Sequence, residues 1–220
     1  METGGLSRAV IFDVDGVLID GYHSNPARVR AWDKDMLSEI GVDPERLRQE
    51  FTFDVFVKKV IIGQMSFVEA LDRYLPSVGY TGGGMAFAHY WLEKDSVLNA
   101  PVIEIARKLK AGGDCRLYIA TNQEHLRAMW LWGKLGLAEI FDDIFYSARL
   151  GVRKPEQKFF EHVSRAIGKQ AEPPLFIDDT PKVVDAARTH GWEAVLFDTV
   201  DDCANHPWIA TRLKPSSAAR

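Results

Sequence analysis

Short stretches of this chain are continuously apolar, and each ends abruptly in polar residues. They are Ala9-Val10-Ile11-Phe12, Leu117-Tyr118-Ile119-Ala120, Leu175-Phe176-Ile177 and Ala194-Val195-Leu196-Phe197, with a shorter one at Ile144-Phe145-Tyr146. A strand covered on one face alternates apolar and polar residues. A strand without alternation is buried on both faces, the condition of a parallel sheet between helical layers. The intervening segments supply the helices. Val102, Ile105, Ala106 and Leu109 recur at helical spacing after Pro101 and stop at Gly112-Gly113. Phe159, Phe160, Val163 and Ile167 form a second stripe closed by Gly168. A third opens at Thr180-Pro181, an N-cap and first-turn pair, and ends at Gly191. Strands alternating with helices predict an α/β fold built on a doubly wound parallel sheet.

Residues 20–99 break the alternation: they carry helical periodicity and no strand pattern. Asn25-Pro26 is expected to open a helix carrying Val29, Trp32, Met36 and Ile40, ended by Gly41. Asp43-Pro44 opens another, with Leu47 and Phe51 inward. Ser66 caps a third, with Phe67, Ala70, Leu71 and Tyr74 inward. The loop Gly79–Gly84 leads to a last one, with Phe87, Tyr90, Trp91 and Leu92. The expected organisation is a core from residues 1–19 and 100–220, with a smaller all-helical unit, 20–99, inserted after the first strand. Pro215–Arg220 reads as a solvated tail.

Composition removes several classes of function. Hydrophobic residues at 46% and charged residues at 26% describe a globular chain. Its length allows burial of roughly 70% of the unfolded surface without disulfides or structural metal. The net charge of −4, with no basic block, argues against nucleic acid as a partner. Cys115 and Cys203 stand far apart, which excludes a thiolate zinc site and fits a reducing compartment; both are expected to be inert. Met1–Gly5 has no secretory pattern, and no apolar run approaches a membrane span, so the expected location is cytoplasmic.

The chemistry is expected where the strands end. The first runs into Asp13-Val14-Asp15-Gly16, the second into Thr121-Asn122, the third into Asp178-Asp179. Carboxyl ends of parallel strands share one edge, and ligands bind there. Several carboxylates in one crevice repel unless a cation intervenes, and an all-oxygen set suits Mg²⁺. Asp13 and Asp15, two apart on an extended segment, point to opposite sides: one toward a substrate as nucleophile, the other free to move a proton. Gly16 lets backbone approach a phosphate. Lys154, in Gly151-Val152-Arg153-Lys154-Pro155 just ahead of a helix, can neutralise both phosphate and aspartate.

These residues resemble the motifs of the haloacid dehalogenase superfamily, in the same order. Phe12-Asp13-Val14-Asp15-Gly16-Val17-Leu18 is similar to the first motif, Thr121 to the second, Lys154 in Gly-x-x-Lys-Pro-Glu to the third, and Phe176-Ile177-Asp178-Asp179-Thr180 with Asp185-Ala186-Ala187 to the fourth. The inserted helices resemble the cap of subfamily I and its phosphatase branch. The resemblance implies a Rossmann-like core and a Mg²⁺-dependent phosphatase acting on a small phosphorylated metabolite, monomeric or homodimeric. It implies that Asp13 attacks phosphorus, giving an aspartyl-phosphate. Asp15 then protonates the leaving oxygen and activates water. Thr121 and the Asn122 amide bind phosphoryl oxygens, and Lys154 holds Asp13 and phosphate. Mg²⁺ would be held by Asp13, Asp178 and the Asp15 carbonyl, with Asp179 direct or through water. Two positions depart from the pattern: Val183 replaces a frequent Asn, and Arg153 adds a charge without a derived purpose.

Rival readings stay open. A phosphomutase of sugar phosphates uses the same residues. A 2-haloacid dehalogenase needs neither Asp15 nor acids at the fourth motif. A phosphorylatable receiver domain carries its acid pair first and lacks the insert. Trp32, Phe51, Phe53, Phe56 and Trp91 are read as core of the helical unit, with some of them able to face the crevice. Trp130 and Trp132 are read as packing residues, and His23 and His125 as surface histidines.

Overall fold

In the computed structural model, which describes residues 7–214, the apolar stretches become one sheet. Its strands are β1 (Arg8–Phe12), β2 (Cys115–Thr121), β3 (Asp143–Tyr146), β4 (Leu175–Asp178) and β5 (Glu193–Leu196). They run in the order β3-β2-β1-β4-β5, every pair parallel. The expectations about Met1–Gly5 and Pro215–Arg220 lie outside the described residues.

One apolar layer sets Val10, Phe12, Ile119 and Ile177 against the helix Ala100–Gly112. The opposite layer sets Ile11, Ala120 and Phe176 against the helices Gln157–Ile167 and Pro181–Thr189. The helix expected just after Lys154-Pro155 starts at Gln157. Helices Val200–Ala204 and Pro207–Leu213, which the sequence reading passed over, bury Cys203 and Ile209 in the first layer. Among the described residues no helix is long and apolar enough to cross a membrane.

The chain runs outward from β1 through β2 to β3, then returns to β4 on the other side of β1. The carboxyl ends of β1 and β4 thus flank the point where the winding reverses, where a crevice opens in such sheets. Register makes the placement concrete. Phe12 pairs with both Ile119 and Ile177, so Asp13, one residue on, stands level with Asp178. The Asp13 N–H donates to the Ile177 carbonyl at 2.9 Å.

Residues between β1 and the helix Ala100–Gly112 form a helical block with its own core, including Met36, Leu47, Phe51, Leu71 and Phe87. The helix expected from Asn25 to Ile40 does not form. Asn25 caps only the short turn Pro26–Arg28, Val29 is extended, and helix resumes at Met36–Ile40. The segment is tied elsewhere: Asn25 Nδ2 donates to Asp198 Oδ1 at 2.6 Å, far along the chain, and the Arg30 N–H donates to the Gly21 carbonyl at 2.9 Å. The Pro44–Leu47 helix continues through wide turns over Arg48–Val60. Helices Phe67–Tyr74 and Gly84–Lys94 follow; Ser66 holds the N-cap position of the first without a side-chain bond. The block meets the core closely at Gly63, where a Cβ would stand 2.5 Å from the Ala148 carbonyl oxygen. Arg153, unexplained in the sequence, donates to the Val57 carbonyl across this contact at 2.9 Å.

Candidate active site

The strand ends converge. Asp13, Asp178 and Asp179 each present a carboxylate oxygen, all within 4.8 Å of one another and all buried. Lys154 enters among them, its Nζ 2.8 Å from Asp13 Oδ1 and 2.6 Å from Asp178 Oδ2, with 3% of the residue exposed. Backbone donors fix the acids. Val14 N–H reaches Asp13 Oδ1 at 2.7 Å, Thr180 N–H reaches Asp178 Oδ1 at 2.8 Å, and Ser24 N–H reaches Asp179 Oδ2 at 2.6 Å. Gly16 takes a left-handed φ of 75°, and a Cβ there would lie 2.6 Å from Asp179 Oδ2, so only glycine lets the loop after β1 close on the acids.

Charge explains why the cluster is under tension. Burial first, and then Asp178, push the Asp13 carboxyl up to about 8 against the pull of Lys154. Burial, and then Asp13, raise Asp179. Desolvation works against the Lys154 ammonium, but Asp13 and Asp178 outweigh it and hold its pKa up. Three buried acids face a single buried ammonium, an arrangement that could hold a metal ion. The donor set, all carboxylate, fits a hard ion such as Mg²⁺.

The Asp15 side chain turns away from this cluster, as the alternate spacing predicted. Both its oxygens are gripped by Arg127, Nη1 to Oδ2 at 2.9 Å and Nη2 to Oδ1 at 2.7 Å, and Gln123 Nε2 donates to Oδ2 at 2.6 Å. Arg127 also reaches Asp95, donating to its carbonyl at 3.0 Å and pairing with Oδ2 at 3.3 Å. Burial raises Asp95 to about 6 despite that guanidinium. Gln123, Arg127 and Asp95 escaped the sequence reading. The usable signal was Arg127 itself, four residues before buried Leu131 and so on an inward helix face, where a charge needs a partner.

A cavity of about 450 Å³ opens over these groups, lined by Asp13, Asp15, Thr121, Asn122, Lys154 and Asp179 at the sheet and by helical-block residues above. The Asn122 side chain exchanges bonds with the Lys154 backbone, Nδ2 to its carbonyl at 3.0 Å and Oδ1 from its N–H at 2.8 Å, which ties the ends of two motifs together. Val183 lines the cavity as well. Several expectations need correction. Trp32, Phe53, Phe56 and Trp91 line the cavity, and of the aromatics named only Phe51 is wholly core. His23 is buried, 3.6 Å from Asp179 Oδ2, because Ser24 anchors its segment on that acid. His125 is exposed as expected, and burial lifts the Cys115 and Cys203 thiols to about 11 and about 12, away from reactivity.

The chain is 36% identical over 95 residues to a drimenol cyclase of Aspergillus calidoustus, covering 43% of this chain and 18% of that protein. It is 34% identical over 112 residues to a sesquiterpene phosphatase of Aspergillus oryzae, 48% of this chain and 54% of that one. Against a phosphoglycolate phosphatase of Neisseria gonorrhoeae identity is 28% over 189 residues, 84% of this chain and 77% of that one. The chain thus spans well under two thirds of the two fungal proteins. A solved HAD family enzyme from Bacteroides thetaiotaomicron, a magnesium complex, shares the fold at a TM-score of 0.70 and 18% identity, covering 96% of this chain and 100% of that one. The profile of the haloacid dehalogenase-like hydrolases matches residues 7–191, from just before β1 to the turn ahead of β5, and the chain is an enzyme belonging to that family.

Proposed function

We propose that the protein is a Mg²⁺-dependent phosphatase that hydrolyses a small phosphomonoester through an aspartyl-phosphate on Asp13. The observation that carries this reading is the single buried ammonium of Lys154 set among three buried acids beneath a cavity, with a fourth acid, Asp15, held apart on the same loop. An Asp13 oxygen attacks phosphorus, and the bond from phosphorus to the ester oxygen breaks. Asp15 gives its proton to the departing oxygen. It then takes a proton from the water that cleaves the acyl phosphate, releasing inorganic phosphate and restoring both acids. Because both Asp15 oxygens accept from Arg127 and Gln123, Asp15 has to leave these contacts to make the exchange. Thr121, the Asn122 backbone N–H and Lys154 hold the phosphoryl oxygens; the Asn122 side chain is committed to Lys154. Asp13, Asp178 and Asp179, with the Asp15 carbonyl, would hold Mg²⁺, which offsets the charge of the acids and of the phosphoryl group. Residues 20–99 act as a cap that excludes bulk water.

The phosphatase names of relatives and the magnesium complex of a fold neighbour support the reading. The test is release of inorganic phosphate from a chromogenic aryl phosphate. Repeated turnover with Mg²⁺ that stops in excess EDTA is expected. Chloride release from a 2-chloroacid, or phosphate moved within a hexose phosphate without free phosphate appearing, would overturn it.

A pH dependence follows from Asp13. Its carboxyl, lifted to about 8, must lose a proton before it can ligate a cation. Mg²⁺ affinity, measured by titration calorimetry, is expected to rise with pH from 6 toward 8, by up to about tenfold per unit. An affinity flat across that interval would show that Asp13 is not a ligand.

A further inference from the structure

The cavity has two ends of different chemistry. Its floor holds the acids, Thr121, Asn122 and Lys154. Its wall on the helical block is Trp32, Phe53, Phe56, Val57, Phe67 and Trp91. These rings pack on one another: Trp32 stacks on Trp91 at 4.6 Å, Phe56 on Trp91 at 5.4 Å, and Phe67 meets Trp91 edge-on at 5.3 Å. Most polar groups among the block's lining residues are already engaged, the Tyr22 hydroxyl at the exposed rim and Asp95 Oδ1 being exceptions. Arg48 is held by Asp33 at 2.9 Å and by Glu45; Asp95 faces Arg127; the Thr52 hydroxyl turns to the Leu47 carbonyl at 3.5 Å.

A sugar or nucleoside leaving group would carry hydroxyls into this wall and leave them without partners, which a buried site penalises heavily. A phosphorylated acid would carry a second negative charge toward cations that acids already hold. An apolar chain meets neither obstacle. The volume, about 450 Å³, also far exceeds what a phosphate group fills. Phe53 lines the cavity with 60% of its surface exposed, apolar area that a hydrocarbon could cover.

We propose that the substrate is the monophosphate of an apolar alcohol, with the phosphate on the acid floor and a hydrocarbon tail of many carbons laid along the Trp32–Phe56–Trp91 wall. This rests on the phosphatase reading for its chemistry, and the experiment separates the two. Wild-type enzyme with Mg²⁺ is assayed on n-alkyl monophosphates from butyl to decyl, below their micelle concentrations. A hexose phosphate, glycerol phosphate and a nucleoside monophosphate are run beside them. kcat/KM is expected to climb about three- to fourfold per methylene, and decyl phosphate to exceed every hydrophilic ester by more than about 10²-fold. Binding of the matching alkyl phosphonates, which cannot be hydrolysed, is measured by calorimetry and is expected to tighten with the same slope. Phe53→Asp, at an exposed position, is expected to flatten both slopes. A flat phosphonate series overturns the proposal whether or not any ester turns over, as does a hydrophilic ester ahead of decyl phosphate. A steep phosphonate series with no turnover of any ester upholds the apolar site and overturns the phosphatase reading instead.

Discussion

Asp13→Asn is expected to abolish turnover, by at least about 10⁴-fold, while making the metal-free protein more stable. The first effect is loss of the nucleophile, for which an amide is no substitute. The second follows from burial. Folded, Asp13 titrates near 8; unfolded, it returns to 3.8. Between those limits the folded state holds a proton that the unfolded chain releases, so stability is full below the lower value and is lost as pH rises toward the upper one. At neutral pH the wild-type carboxyl therefore costs stability, and asparagine removes that cost. Thermal unfolding in EDTA should place the variant above wild type, with a gap that widens from pH 5 to 8. A variant that melts below wild type throughout would show that Lys154 more than compensates the carboxylate.

Lys154→Met should act with the opposite sign on stability. The ammonium is 3% exposed and touches Asp13 and Asp178 at 2.8 and 2.6 Å. Methionine fills a similar volume, so the change is mainly one of charge. Removing one partner from a buried ion cluster destabilises by about 3–5 kcal/mol, and loss of a donor to phosphoryl oxygens lowers kcat by about 10²–10³-fold. Chemical denaturation in EDTA reads the first effect, and Mg²⁺ should restore part of it, because a divalent ion relieves the same repulsion. Unchanged stability would mean that the acids are protonated in the metal-free fold and need no counterion. Together the two variants bracket the charge argument: one deletes a negative group and the other its only buried ammonium.

The sheet was legible because burial on both faces erases alternation, as at Val10–Phe12 and Leu175–Ile177. Strand sense and the meeting of Asp13 with Asp178 followed from one rule about parallel strand ends. What failed was local reasoning where a distant bond decides. Asn25 is drawn to Asp198, and the stretch from Asn25 to Ile40 does not coil throughout despite its spacing. Aromatics that face a cavity have the same periodicity as those that face a core, so Phe56 and Phe51 could not be told apart until both were placed. Arg127 and Asp95, 32 residues apart, mean little singly; the pair has meaning only when folding brings both to Asp15.

The helical block joins the core through two adjoining chain passages. Asp20 donates to the Val97 carbonyl at 2.8 Å, and Asn99 donates to the Leu18 carbonyl at 2.9 Å. Because departure and return share one narrow seam, the whole module can be exchanged like a cassette. A foreign module whose two ends lie a strand's width apart leaves the sheet register alone, but it must also replace Ser24, which holds Asp179, and Asp95, which holds Arg127 against Asp15. Selectivity can therefore diverge among descendants of this scaffold only in modules that keep those two anchors.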